Sequence, residues 1–596
     1  MEKKYFDLHL HPLFKNFLSS YDGSIPPSIQ TFEDLTQPVR MSNVFTSVVD
    51  ELFIHILKSQ SSIQQCKKGN VNYAVAAIVN LEFGFADSRG FFGTVLKSKF
   101  SNPLDKIFFE KVRNGEISYY RLMLMELSLY KKLRDHQEST IAILSRNSNK
   151  KALENGLNII LSLEGSHNFS KLLIGNPLQI DYIEDRFTDL KKLKKISQDA
   201  DHLWREMIVD SENGEEPTAN YNQNPAVNLE KFYKSLSKEN MDLLYLTLTH
   251  LTHINEQFLA THAFGMKMLK HPSFYPFGNG ISSLGYDVIE KCYSMTNHKN
   301  EYRPVLIDVK HLGLKSRQDY YAFRKKIIQK EKKYEKIPII ASHIGVTGYT
   351  VNEWKNALKR NSCTVYNYEG TRAVSIEMEK KICGKWGSFV NNDFTFNPWS
   401  INLMDEDITE ILNSNGIIGM SLDVRILGFQ SEYGISLTSE NEYLSTADFH
   451  THFPQITVKN LPLNTMESMI SENESWLIPT KEDRHPLSFC FNIIHIIQVG
   501  LLKTDIAEPW NQICLGSDFD GLIEPLKISP DISSLEELEA NMIKWIPVAE
   551  KAYVNENGGT RILFGKSTAE LKKIVRGIMY ENGKNFIDRW LNNFAG

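Results

Sequence analysis

Cysteine is scarce in this chain of 596 residues and never occurs in a CxxC pair. The six thiols are scattered along the sequence, at Cys66, Cys292, Cys363, Cys383, Cys490 and Cys514. A disulfide framework or a thiolate zinc site would need regularly spaced or closely paired cysteines. The pattern argues against both, and we expect reduced cysteines that are mostly buried as small hydrophobic side chains.

The chain also lacks a charge excess of one sign, since 67 basic side chains stand against 72 acidic ones for a formal net charge of -5. Proteins that bind nucleic acid or anionic membranes electrostatically need a basic surface. We therefore expect no nucleic-acid partner and no membrane partner. A small molecule or a short peptide is the expected substrate, and a homodimer stays open.

Long hydrophobic runs are missing as well. Near the N-terminus, Asp7, His9 and His11 fall where a signal peptide would have its apolar region. The longest apolar run in the C-terminal third, residues 491–502, is short for a bilayer span and contains three polar side chains. We interpret it as a core helix and expect a cytoplasmic protein.

Short apolar runs rich in β-branched residues, typical of buried parallel strands, occur along the whole length. Eight are predicted as strands, at residues 5–9, 73–80, 158–163, 243–249, 304–309, 337–342, 416–422 and 512–516. Helix-period stretches lie between them, at 110–132, 189–207, 316–334 and 405–413. The alternation predicts a parallel sheet. Because no GxGxxG turn follows the first strand, we favour an α/β fold of the closed (β/α)8 or TIM-barrel type over an open doubly wound sheet.

Several connections are much longer than one helix with its loops. They span about 90–149, 210–239, 263–303, 345–399 and 425–487. Their Gly, Asn, Pro and aromatic content, as in HPSFYPFGNG, suits ordered excursions over the mouth of a barrel. We therefore predict a single barrel over residues 1–596 with long loop insertions.

The C-terminal ends of the predicted strands carry many side chains that bind metals. In a barrel of this type the catalytic groups lie at that end. Six of the predicted strands run into DLHLH, LSLEGSH, LTLTH, LIDVKH, IIASH and LGSDFDG. Their candidate metal-binding and catalytic residues are His9, His11, Glu164, His250, His311, His343 and Asp518.

The spacing of these residues indicates how they could act together. His9 and His11 are two positions apart on a strand, so both point into the barrel and can chelate one ion. Glu164 stands where a carboxylate could bridge two cations, and Asp518 where it could both touch a metal and accept the proton of bound water. Imidazole and carboxylate ligands without thiolate favour Zn2+, with Mn2+, Fe2+ and Co2+ as alternatives.

These segments resemble the membrane (renal) dipeptidases of the amidohydrolase superfamily. The resemblance rests on LSLEGSH (161–167), YLTLTH (245–250), LIDVKH (306–311), PIIASH (338–343) and GSDFDG (516–521) in the family's order, with NIIHIIQVG before the last strand. It covers the barrel strands and about half of the chain, and leaves the long insertions unmatched.

The resemblance implies a metallopeptidase-like hydrolase with two divalent metal ions. It would place His9 and His11 on the first metal, and His311 and His343 on the second. The remaining roles that it implies are a bridging carboxylate for Glu164, proton handling for Asp518 and contact with the scissile carbonyl oxygen for His250.

Two positions depart from the family pattern. The first strand has HLH where the family has HxD, which makes the site less negative. The family also places an arginine before an acidic helix to hold the carboxylate of a dipeptide. Here the matching stretch reads SINLMDEDITEIL, so Ile401 occupies that position. Arg425, Arg360 or Arg372 could supply the missing contact by another route.

Three functions are compatible with these residues. The first is hydrolysis of a peptide-like or other amide bond by a hydroxide that bridges two divalent metals. The second is an amidohydrolase acting on a lactone, a cyclic amide or a non-peptide acyl compound, which HLH and Ile401 both permit. The third is a metal-binding barrel without catalysis, whose insertions bind another protein.

Overall fold

The computed structural model describes residues 3–19, 32–39, 50, 57–86, 106–113, 119–136, 140–169, 225–252, 259–266, 272–276, 278–359, 364–368, 371–385, 393–428, 439–457, 459–460 and 484–594. Eight parallel strands form a barrel in the described part of the chain. They are β1 (Tyr5–Leu10), β2 (Val71–Ile78), β3 (Leu157–Glu164), β4 (Tyr245–Thr247), β5 (Leu306–Asp308), β6 (Ile340–Ile344), β7 (Ile417–Met420) and β8 (Ile513–Leu515). The predicted (β/α)8 fold is confirmed, and each predicted strand overlaps an observed one.

Each strand pairs with the next one along the chain, in the order β1 to β8. The barrel closes between β8 and β1, where Leu10 and Phe519 form a parallel bridge. There the His11 amide donates to the Phe519 carbonyl at 3.0 Å, and the Asp518 amide donates to the His9 carbonyl at 2.9 Å. A short extra strand, Ile141–Ile143, lies beside β3. Closure therefore sets the ends of the first and last strands side by side.

Helices follow the strands and cover the barrel. The described α-helices are Phe14–Ser19, Phe32–Thr36, Ile63–Lys68, Phe83–Ala86, Lys106–Arg113, Tyr119–Asp135, Pro225–Lys238, Ser283–Ser294, Leu314–Lys330, Val351–Asn356, Asp405–Asn413, Thr446–His452, Arg484–Lys503, Leu535–Asn557, Thr568–Arg576 and Asn582–Leu591. The 3-10 helices are Ser166–Phe169, Pro272–Phe274, Lys332–Lys336, Pro509–Gln512 and Ile532–Ser534, and Gly577–Glu581 is a π-helix.

The predicted helices agree with these bounds to different degrees. The helix over 405–413 has the predicted bounds, and that over 316–334 is split into Leu314–Lys330 and a 3-10 turn. Two helices, Lys106–Arg113 and Tyr119–Asp135, stand where one was predicted over 110–132. The helix predicted at 189–207 lies outside the described residues.

Strands from two insertions form a sheet of their own, separate from the barrel sheet. This insert sheet consists of Thr364–Tyr368, Thr371–Glu379, Ser439–Ser445 and Lys459–Asn460. Ser439–Ser445 pairs antiparallel with Thr371–Glu379, from Ser439 opposite Glu379 to Ser445 opposite Ala373. A second, smaller core joins this sheet to neighbouring helices, with Trp354, Ile376 and Phe449 among its buried side chains. The segments predicted as insertions at 345–399 and 425–487 therefore fold against each other.

The helix Arg484–Lys503 is long and apolar enough to cross a membrane by length and composition alone. In the structure, 89% of its most apolar window is buried. Asn492 on this helix donates to the Leu427 carbonyl, and His495 contacts Asp405 at 2.9 Å. These contacts are those of a helix packed inside the protein.

The loop after β8 is anchored by a buried ion pair. Asp520 accepts hydrogen bonds from the amides of Gln60 and Ser61 at 2.9 and 2.8 Å. Its carboxylate also lies 2.9 Å from Lys15 Nζ, and both side chains are buried. Asp520 thus acts as a structural acid of the DFDG turn.

We expect Asp520→Ala to lower the free energy of unfolding by about 3–5 kcal/mol, because it leaves the Lys15 charge buried without its partner. Glu536→Ala is the matched control, since the ion pair of Glu536 with Lys3 is exposed and should contribute less than about 1 kcal/mol. Urea unfolding measures both. Equal losses in the two variants would contradict the role given to Asp520.

Candidate metal centre

The strand ends bring the seven candidate residues of the sequence analysis into one buried group. His9 and His343 lie within β1 and β6, and Glu164 is the last residue of β3. His11, His250, His311 and Asp518 follow the ends of their strands by one to three residues. His311 and Asp518 have a positive φ of 65°, a strained conformation for residues other than glycine. The backbone therefore turns at the two residues whose side chains enter the centre.

The Glu164 carboxylate lies in the middle, with three imidazoles near Oε2 and two near Oε1. Oε2 is 3.5 Å from His9 Nε2 and 3.4 Å from His11 Nε2. Oε1 is 3.0 Å from His311 Nε2 and 3.6 Å from His343 Nε2. The carboxylate therefore lies between His9 and His11 on one oxygen, where His250 is also within 3.7 Å, and His311 and His343 on the other.

Asp518 reaches the same group from β8. Its Oδ1 lies 3.8 Å from His9 Nε2 and 3.5 Å from His11 Nε2, and its Oδ2 lies 3.7 Å from His343 Nε2. The side chain is 15% exposed, whereas that of Glu164 is 2% exposed. Asp518 therefore stands at the open side of the centre, in contact with both pairs.

In three of these imidazoles, a hydrogen bond at Nδ1, the ring nitrogen that faces away from the centre, sets the orientation of the ring. His11 Nδ1 lies 2.9 Å from the Ala77 carbonyl, which can only accept, so this nitrogen carries the hydrogen. The Tyr245 hydroxyl donates to the Leu8 carbonyl and therefore accepts from His9 Nδ1 at 2.6 Å. Both rings thus turn Nε2 toward the carboxylates, where in the neutral form it would offer a lone pair to a metal ion.

His343 is oriented by a hydrogen bond at its Nδ1 as well, through Ser342 and Asp308. Its Nδ1 contacts Ser342 Oγ at 2.8 Å, and that hydroxyl donates to Asp308 Oδ2 at 2.6 Å. His343 Nδ1 is therefore the donor and its Nε2 carries a lone pair. The Nδ1 atom of His311 has no hydrogen-bond partner in the described part of the chain.

Imidazole nitrogens and carboxylates that converge in a buried space are the ligands that divalent cations such as zinc take in proteins. The Nε2 atoms of His9 and His11 are only 3.2 Å apart, close enough for one ion to contact both. Burial lowers the pKa of His311 to about 3, and burial with the nearby His9 holds the pKa of His343 well below its usual range. Both rings are thus neutral, as metal ligands must be. The donor set fits divalent metal ions.

Three groups of residues could each hold an ion, with their ligand atoms within 4.8 Å of one another. The groups are His9, His11 and Glu164; His9, His343 and Asp518; and Glu164, His250 and His311. Because they share Glu164 and His9, they describe one extended centre. His250 is here a further possible ligand, in addition to the role expected for it.

His250 is oriented by a residue that the sequence analysis missed. Its Nδ1 lies 2.6 Å from Oε1 of Glu82, a buried carboxylate that follows β2, and its Nε2 lies 3.7 Å from Glu164 Oε2. Burial disfavours the charged ring, but Glu82 and Glu164 outweigh it and raise the pKa of His250 to about 9. In the sequence, Glu82 is marked only as a carboxylate residue that follows an apolar predicted strand.

The residues considered for carboxylate binding are placed differently. Ile401 is buried beside Ala263, Trp399 and Ile426. Arg425 forms a bidentate pair with Asp423, at 2.9 Å from Nε and 2.6 Å from Nη2, and Nη2 also donates to the Leu522 carbonyl. Arg360 and the side chain of Arg372 lie outside the described residues.

Several solved structures are similar to this chain. A metallopeptidase from Rhodobacter sphaeroides, solved with a phosphinate mimic of the dipeptide L-Ala-D-Ala, has 12% identity and a TM-score of 0.39, with 99% of each chain covered. The probable dipeptidase PvdM from Pseudomonas aeruginosa has 12% identity and a TM-score of 0.43, covering 100% of this chain and 96% of its own. An amidohydrolase from Pseudomonas aeruginosa has 11% identity and a TM-score of 0.36, with 91% of each chain covered. No family model and no curated protein matches the sequence.

We expect about two divalent metal ions per chain, because Glu164 separates two pairs of imidazoles. His311→Ala or His343→Ala should leave about one ion, with an unchanged circular dichroism spectrum. His298→Ala is the matched control, since His298 contacts Ser237 and not the centre. Elemental analysis after expression with added zinc measures the content, and folded protein with almost no metal would contradict the assignment.

Proposed function

We propose that this protein is a metal-dependent hydrolase that cleaves a peptide-like or other amide bond, using two divalent metal ions and a hydroxide between them. The observation that carries the proposal is the Glu164 carboxylate, whose two oxygens each face a different pair of imidazole nitrogens. Zinc is the proposed metal, since the ligands are imidazoles and carboxylates without thiolate.

When bound, the two ions would supply a Lewis acid for the substrate carbonyl and bring the pKa of a water molecule close to neutral. The protein side chains supply the rest. Asp518, partly exposed and in contact with both imidazole pairs, is placed to accept the proton of the attacking water and to return it to the leaving nitrogen. Burial raises the pKa of its carboxyl group, which is the direction that favours accepting a proton.

His250 is the residue we assign to the substrate carbonyl oxygen. Glu82 holds its Nδ1, so that Nε2 is presented toward Glu164 and the centre. A ring that carries hydrogens on both nitrogens can donate to an oxygen that becomes negative in the transition state. Glu82 therefore acts through His250, as a positioning residue.

A second candidate function has its own support. Ile401 lies in an apolar cluster, and two of the guanidinium nitrogens of Arg425 are bonded to Asp423 and Leu522. A free C-terminal carboxylate would find weak recognition there. Hydrolysis of a lactone, a cyclic amide or a non-peptide acyl compound would need no such contact.

Asp518→Asn should keep most of the metal and lower kcat by about a thousandfold, because an amide cannot accept the proton of water. His250→Ala should be milder, by about a hundredfold, as expected for one donor to an oxyanion. Asp520→Asn removes the other carboxylate of the same loop and should leave kcat per folded molecule unchanged. Near-normal turnover by Asp518→Asn would disprove the assignment.

Dipeptides with a free C-terminal carboxylate should be hydrolysed no more than about tenfold better than their C-terminally amidated counterparts. A charge-assisted clamp would contribute about a hundredfold or more in kcat/KM. The ratio of kcat/KM for the two forms of one dipeptide measures this directly. A ratio above a hundred would refute the expectation, and Arg425→Ala and Arg372→Ala would then show which arginine is responsible.

A further inference from the structure

Residues 439–452 form one strand of the insert sheet and the helix that directly follows it. We call them the docking segment, because they pack against the catalytic end of the barrel. Glu442, Asp448 and His452 of this segment are all buried. Acidic side chains are rarely buried without a cation beside them, so the groups around these three residues decide how they behave.

Glu442 attaches the docking segment to the connection after β6. Its carboxylate accepts from the Ser400 amide at 2.9 Å and from the Ser400 hydroxyl at 2.7 Å. The next residue, Tyr443, packs on Phe264 with ring centroids 4.7 Å apart. Burial raises the pKa of Glu442 to about 7, although the hydrogen bonds from Ser400 and the charge of Arg317 act to lower it. Glu442 therefore exchanges its proton near neutral pH.

Asp448 faces the turn that follows β5. Its Oδ2 would lie 3.1 Å from a Cβ on Gly313, and its Oδ1 is buried without a hydrogen-bond partner in the described part of the chain. Burial raises the pKa of Asp448 to about 7, with a contribution from Asp319, while Lys315 and Arg317 act to lower it. An ionised Asp448 would place an incompletely compensated charge between the docking segment and the barrel.

The cations that face these two acids are already paired with other groups. Arg317 is buried, donates to the Ser400 carbonyl at 2.7 Å and lies 3.0 Å from Asp407. Lys315 forms an ion pair with Asp319 at 2.7 Å. Two further carboxylates would therefore share cations that have their own counter-ions, and each would disfavour ionisation of the other.

His452 responds to pH in the opposite direction. Both of its ring nitrogens are buried without hydrogen-bond partners among the described residues, and its ring meets that of Trp354 edge-on at 6.1 Å. Burial lowers the pKa of His452 to about 4, helped by the charges of Lys355, Arg317 and Lys315. The ring is therefore neutral while the segment is docked, and its protonation disfavours docking only as the pH falls.

We propose that the docking segment is a pH-sensitive latch, which packs on the barrel while Glu442 and Asp448 hold their protons and opens more readily once they ionise. An acid whose pKa is higher in the docked than in the open state stabilises docking at low pH. This contribution is lost as the pH rises through about 7. Opening would release Ser400 and the turn at Gly313, which lies two residues after His311. The proposal does not depend on hydrolase activity.

Hydrogen exchange detected by mass spectrometry measures the opening. The quantity compared is the protection factor of docking-segment peptides, the ratio of intrinsic to observed exchange rate. Between about pH 6 and about pH 8, each acid should lower it by about tenfold and His452 should raise it by about fourfold, so that it falls by about tenfold to thirtyfold. The helix Asn582–Leu591 reports on global unfolding, since Asn582 donates to the Ile513 carbonyl at the opposite end of the barrel.

Variants assign the effect to the two acids. Glu442→Gln and Asp448→Asn keep the shape of the side chain but cannot ionise, and each should reduce the fall to about threefold or less. The double variant should reverse the trend, because only His452 then titrates. Glu379→Gln is the matched control, since Glu379 is an exposed acid of the same sheet, opposite Ser439. It should keep the wild-type fall.

Three results would overturn the latch. The first is equal protection of the docking segment at the two pH values in the wild-type protein. The second is a wild-type fall that persists in the double variant, and the third is an equal fall in the helix Asn582–Leu591, which would indicate global unfolding. If a variant does not fold, the comparison of the two wild-type segments decides by itself.

Discussion

The carboxylate of Glu164 is the constraint on which the rest of the centre depends. It is buried inside a barrel, and a buried charge is tolerated only when its surroundings compensate it. Its neighbours are imidazole nitrogens, and burial keeps at least the rings of His311 and His343 neutral. Divalent cations between the nitrogens and the oxygens would compensate the carboxylate charge. Five other strand ends must deliver side chains to within about one coordination distance of those cations.

A layer of buried polar groups makes this convergence possible. Tyr245, Ala77, Ser342 with Asp308, and Glu82 each hold one imidazole by its outer nitrogen. Asp7 acts on the backbone, accepting from the amides of His9 and Ser517 at 3.1 and 3.0 Å. It thus joins β1 to β8 where the barrel closes. These groups orient the ligands, which a set of histidines on flexible chains would not achieve.

The barrel and the inward-facing residues could be predicted because both are local features. A parallel strand buried on both faces reads as a continuous apolar run, and the polar residue after it marks the catalytic end. Glu82 and Tyr245 were missed because their roles depend on neighbours 168 and 236 positions away. The insert sheet was missed because it depends on strand pairing between Ser439–Ser445 and Thr371–Glu379. These strands lie in two different insertions, and neither local sequence indicates that it pairs with the other.

Sequence and structure give different information about how the site around Ile401 could recognise a substrate. The sequence shows that an expected arginine is absent, but it leaves three other arginines as candidates to replace it. The structure removes much of the freedom of Arg425, whose guanidinium is shared between Asp423 and Leu522, and surrounds Ile401 with apolar side chains. A cation placed there would have to displace packed apolar side chains and find a new counter-ion. The free-energy cost of burying the charge would exceed the stabilisation that a surface ion pair provides. Recognition of a carboxylate at the position of Ile401 would therefore require changes in the side chains packed around it as well as at Ile401 itself.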